Sequence, residues 1–170
     1  SRRVTAEADA TMTGAAPLLL ASGSATRRRL LAAVGFEVTA LAPGVDEAEI
    51  KRTLAAEAAP PAAVADALAE LKAMRMSQRR PEAFVIGADQ VLLCEGRLYD
   101  KAEDLAAARA TLLALAGRTH ELLCAVVVAK AGAPIWRHLE RCRLRRRALT
   151  EPEIDAYLAQ VGPAALESVG

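Results

Sequence analysis

Short apolar runs alternate with helix-patterned segments along most of this chain, and that alternation limits the fold more than any other feature. Leu18 to Ser22 is a continuous apolar run bounded by Pro17 and Gly23, which predicts a short buried strand. Thr26 is placed to cap a helix with Leu30, Leu31 and Val34 on one side, ending at Gly35. Phe36 to Ala42 alternates as a second strand, closed by Pro43-Gly44. A helix from Asp46 to about Ala58 breaks at Pro60-Pro61, and a longer one runs from Ala62 to Arg79. After Pro81, AFVIGAD forms a third strand that continues through Gln90 into VLLCEG, with RLYDK as a loop or short strand. Leu105 to Leu115 is helical. Glu121 to Lys130 and Ile135 to Arg147 make a hairpin around AGAP, and Thr150 with Glu153 is a capping box opening a last helix. The expected class is α/β (α+β), a mixed twisted sheet flanked by helices.

A chain of 170 residues suits one domain with a real core, and 53% hydrophobic with 25% charged residues excludes disorder. The first fifteen residues lack a hydrophobic signal segment and read as a disordered lead or tag remnant, so the domain spans 16–170. No apolar run approaches the roughly 18 residues of a membrane span, so no membrane partner is expected. A net charge of +1 gives no global steering toward nucleic acid, and any anion site must be local. Cys94, Cys124 and Cys142 show neither CxxC nor zinc spacing and sit in apolar or strand-like runs, which predicts buried free thiols in a reducing cytoplasm. His120 and His138 are isolated and receive no role. The basic run Arg141 to Arg147 lies in a strand, where its arginines do not share one face, and reads as a solvated strand end.

Four segments carry chemistry. In SGSATR a strand gives way to small residues and a helix start, which presents backbone N–H groups and the Ser22 and Ser24 hydroxyls to an anion. Arg27, Arg28 and Arg29 crowd that helix start against the dipole, at a cost of a few tenths of a kcal/mol each. A bound phosphate would reverse the sign of that cost, with Arg27 offering a forked donor. The plain alternative is a capped helix with solvated arginines. In GADQ, Asp89 follows an apolar strand, where a carboxylate must be paired, metal-bound or exposed. Asp46-Glu47 lies in a strand-to-helix loop and equally suits a helix cap, and Lys101 in YDK equally suits a solvated lysine. A phosphate-shaped loop, separated carboxylates and cations together form the parts of metal-assisted attack on a phosphate ester.

With LASGSATRRRLL, GVDE, ALAELKA, VIGADQVLLCEGRLYDKAED, LLALAGRTH and LTEPEIDAYL in this order, the chain resembles the Maf family of nucleoside triphosphate pyrophosphatases, also called septum formation proteins. The resemblance implies a cytoplasmic homodimer with a fold like the inosine triphosphate pyrophosphatases. It implies cleavage of a nucleoside triphosphate to monophosphate and pyrophosphate with Mg²⁺ or Mn²⁺, a house-cleaning activity on non-standard nucleotides. Carried over, Ser22, Ser24 and Arg27 are phosphate-binding, Glu47 and Asp89 are metal-organising, and Asp89 with Lys101 is catalytic. Lys72, in the helix motif, is a weaker phosphate contact. Gln90 resembles the branch that acts on methylated guanosine triphosphate, where the pyrimidine branch has Thr.

Three departures stand out. Ala25 and Thr26 replace the Pro and first Arg of the family's S-x-S-P-R-R, and Ala102 replaces the Pro of D-K-P. The family pattern continues beyond LESVG with a strand–helix portion that this sequence lacks, which predicts exposed apolar surface. A catalytically weak nucleotide-binding regulator linked to cell division is the alternative function.

Overall fold

A computed structural model describes residues 16–169, and the lead expected at 1–15 lies outside them. Among the described residues six strands make one mixed sheet: β1 (Leu18–Leu20), β2 (Thr39–Ala40), β3 (Phe84–Cys94), β4 (Arg97–Tyr99), β5 (Thr119–Lys130) and β6 (Ala133–Arg145). The helices are α1 (Ala25–Ala33), α2 (Glu47–Ala56), α3 (Pro61–Arg79), α4 (Leu105–Leu115) and α5 (Glu151–Val161), with a final 3-10 turn at Gly162–Leu166. The sheet order is β2-β1-β3-β5-β6, and β4 also pairs with β3. The expected mixed α/β class holds.

β3 organises the molecule. One of its edges pairs with β5 from Val85 to Leu93. Its other edge is shared: parallel β1 covers Phe84 to Ile86, and antiparallel β4 covers Leu92 to Cys94. Between them, Gly87 to Val91 faces a gap that opens just past the carboxyl end of β1. Ligands of open α/β sheets collect at such strand ends.

One face of the sheet is covered by α3. Val64, Ala65, Leu68, Ala69 and Ala73 pack on Val91, Leu123, Ala125, Val127 and Ala129. Three alanines at i, i+4, i+8 let the helix lie close to the strands. A Cβ at Gly87 would stand 2.2 Å from the Ala69 carbonyl oxygen and 2.6 Å from the Ala73 nitrogen, so only glycine fits. On the other face, Leu115 of α4 packs on Leu92 and Cys94, while Ala108 and Leu112 pack on Ile154 and Leu158 of α5.

Several boundaries differ from the expectations, each for a physical reason. Ser24, not Thr26, caps α1, accepting from the Arg27 N–H at 3.3 Å. The expected core face of that helix is open among the described residues: none of them buries a residue of α1, and Leu30 and Val34 are 64% and 70% exposed. The strand expected over Phe36–Ala42 shrinks to two residues, because its sole neighbour β1 is three residues long and pairs only Thr39 and Ala40. The hairpin turn is Ala131-Gly132, both at positive φ (49° and 76°), the mirror-image turn that matches strand twist. Ala133 and Pro134 therefore belong to β6, where an edge position tolerates proline beside the irregularity at Val128/Ala129. The Ser77 hydroxyl of α3 accepts from the Gly132 N–H at 3.0 Å and ties the turn to the helix. Of the three free thiols only Cys94 is buried; Cys124 is half-buried and Cys142, on the edge strand, is exposed.

Candidate active site

Asp89 sits in the middle of the β3 gap and is almost wholly buried. Gly87, two residues earlier on the same face, admits α3 at close range, and this approach lets Lys72 reach the strand. The Lys72 ammonium, also buried, donates to Asp89 Oδ1 at 2.7 Å. It lies 2.8 Å from Glu47 Oε1, in the first turn of α2. Asp46 caps that helix by accepting from the Glu49 N–H at 3.0 Å, which fixes where Glu47 enters. Three chain segments thus meet on one nitrogen. Lys72 bridges the two carboxylates.

Burial pushes the Asp89 carboxyl above the ordinary carboxylate value, with the Lys72 ammonium as the main opposing influence. Glu47 adds to the upward push, and Lys51 to the downward one. Asp89 Oδ2 is buried and has no hydrogen-bond partner among the described residues. An unpartnered buried carboxylate oxygen costs free energy unless a ligand, metal or proton meets it.

The second group is the loop between β1 and α1. The buried Ser22 hydroxyl accepts from the Ser24 N–H at 3.1 Å and from Arg27 Nη1 at 3.3 Å. Hydroxyls, a helix N-terminus and a half-buried guanidinium therefore converge past the end of β1. Among the described residues a Cβ at Gly23 would meet no atom within 4 Å, so they leave the space over the loop open. Arg28 and Arg29 are exposed, and Arg29 donates to Thr26 Oγ1 at 3.4 Å.

The structure brings Glu47, Lys72 and Asp89 into contact, and separately Ser22, Ser24 and Arg27. Gln90 is exposed and, by strand alternation, faces away from Asp89, in register with Cys124. Burial pushes the Cys124 thiol up, with the nearby Arg27 charge acting in the opposite direction. Lys101 is exposed on the segment after β4. Its neighbour Asp100 is the paired residue, bound to Lys51 of α2. Sequence reasoning missed Lys51. The available signal was its position four residues after Glu47, which puts both on one side of α2.

Among the described residues no three His, Cys, Asp or Glu side chains gather to hold a metal by themselves. Mg²⁺ is usually held by one or two carboxylates with substrate phosphates and waters completing the shell. The free Asp89 Oδ2, with Glu47 nearby, fits that sparse donor set.

A buried carboxylate–ammonium cluster beside a hydroxyl-and-guanidinium loop, at the ends of parallel strands, is the build of an α/β protein for phosphate-bearing ligands. A family profile described as "Maf-like protein" matches residues 17–170, and the chain belongs to that family. A protein of Granulibacter bethesdensis named nucleoside triphosphate pyrophosphatase is 47% identical over 153 residues, covering 90% of this chain and 78% of its own length. One of the same name from Caulobacter vibrioides is 49% identical over 154 residues (91% and 77%). A 7-methyl-GTP pyrophosphatase of Mesorhizobium japonicum is 41% identical over 153 residues (90% and 77%).

Proposed function

We propose that this chain is a nucleoside triphosphate pyrophosphatase, converting a nucleoside triphosphate and water to the monophosphate and pyrophosphate. The observation that carries this is the name borne by relatives 47–49% identical over nine-tenths of the chain. The site supplies fitting chemistry. Ser22, the α1 N-terminus and Arg27 receive phosphate oxygens, an arrangement suited to anions. Asp89, raised by burial and with Oδ2 free, takes the proton of the attacking water as the new oxygen–phosphorus bond forms at the α-phosphorus. The α–β bridging oxygen leaves with pyrophosphate, and Arg27 and Lys101 balance its charge. Lys72 holds Asp89 and Glu47 in place.

Glu47, with Asp89 Oδ2 acting through a bound water, would hold Mg²⁺ or Mn²⁺, which when bound supplies phosphoryl polarisation. Gln90, with the relative named for 7-methyl-GTP, supports a modified purine base as the preferred substrate, in a house-cleaning role. A cytoplasmic location follows from where such nucleotides occur. A homodimer is supported by exposed Leu30, Val34 and Phe36 and by the open edge strand β6.

The test is incubation of the purified chain with Mg²⁺ and a panel of ordinary and methylated nucleoside triphosphates, with pyrophosphate and orthophosphate measured separately. Pyrophosphate equal to monophosphate supports the reading, and a preference for the methylated purine supports the Gln90 assignment. Orthophosphate alone, or nucleotide binding without product, contradicts it.

A further inference from the structure

We propose that Lys51 is a positioning residue: through its ion pair with Asp100 it fastens the segment carrying Lys101 to α2, beside the Asp89 cluster. This rests on the pyrophosphatase reading for the role of Lys101, but the fastening itself does not.

Glu47 and Lys51 stand one helical turn apart. The contact of Glu47 with buried Lys72 fixes which side of α2 faces the cluster, and Lys51 shares that side. Asp100 is the first residue after β4, whose last pairing is Tyr99 with Leu92. Regular structure resumes only at α4, where the Asp104 side chain caps the helix by accepting from the Ala107 N–H at 2.7 Å. Residues 100–104 therefore hang between a strand end and a helix cap, and the tie to Lys51 bridges 49 positions in sequence. Ala102 stands in this segment without the stiffening a proline would give, so a tertiary tie matters more to the placement of Lys101. The partners are 30% and 67% exposed, and an exposed pair shifts an equilibrium by about fivefold at most.

The experiment compares Lys51→Met, Asp100→Asn, the double variant and the swap Lys51→Asp/Asp100→Lys. It reads kcat and KM for pyrophosphate release, and amide hydrogen exchange across residues 100–104 without nucleotide. Each single change should lower kcat about three- to fivefold with little change in KM, and should speed exchange in that segment by a similar factor. The double variant should be no worse than either single one, and the swap should recover most of the loss. Additive losses, a loss in Lys51→Met with none in Asp100→Asn, or unchanged exchange would each overturn the proposal. Asp100→Asn lies at an exposed site and keeps the test valid if Lys51→Met folds poorly. If the wild-type chain releases no pyrophosphate, the functional reading fails while the exchange comparison still decides the tie.

Discussion

Lys72 is a buried ammonium between two carboxylates, and its removal separates structural from chemical contributions. Lys72→Met leaves Asp89 buried and uncompensated, which should destabilise the fold by about 3–5 kcal/mol in urea unfolding. A loss under about 1 kcal/mol would mean that the pair does not form in solution. Asp89→Asn keeps the shape and removes the base. Turnover should fall roughly a hundredfold or more, while nucleotide affinity changes far less. Equal losses in both would assign Asp89 to binding. His120 gives a pH signature away from the site. It is buried, its Nδ1 has no partner among the described residues, and burial, aided by Arg146, holds its pKa below the ordinary 6.5. The unfolded chain takes up this proton first, so stability is full above 6.5 and is lost as pH falls below it. Thermal melts between pH 7.5 and 5.5 should show the decline, and His120→Gln should flatten it. Identical slopes in both proteins would contradict the assignment.

At the scale of elements, the approach of α3 to β3 sets the site geometry. Gly87→Ala puts a methyl group against the backbone of α3, where nothing flexible can yield. Overpacking costs about 1–3 kcal/mol in general, and this contact belongs at or beyond the upper end. We expect a melting temperature lowered by roughly 6–12 °C, and lower turnover because the displaced helix carries Lys72. A variant with wild-type melting and activity would contradict this packing. Most elements were legible because β3, α3 and the hairpin carry strong periodicity, and Thr150 with Glu153 signalled the α5 start. The misreadings came where a partner decides: the second strand has only β1 to pair with, and the apolar side of α1 meets no core. The site followed the same pattern. Asp89 stood out as a carboxylate after an apolar strand, and Ser22 with Arg27 as a loop before a helix. The three-way contact at Lys72 was not legible, since it depends on a helix, a strand and a loop distant in sequence. Gln90 follows Asp89 in sequence, and strand alternation turns it to the opposite face.

For the molecule as a whole, one strand shares an edge between two short partners and leaves a gap, and the candidate groups gather around it. The arginines at the start of α1 make sense in this setting. The helix lacks acidic residues in its first turn and buries nothing, so its N-terminus with Arg27 remains available to an anion. Arg28 and Arg29 remain at the surface. On the proposed mechanism, water attacks the α-phosphorus in this gap. Hydrolysis in ¹⁸O-labelled water, followed by mass analysis of both products, tests it most directly. We predict the label in the nucleoside monophosphate and none in pyrophosphate. Label in pyrophosphate would place the attack at the β-phosphorus and contradict the account.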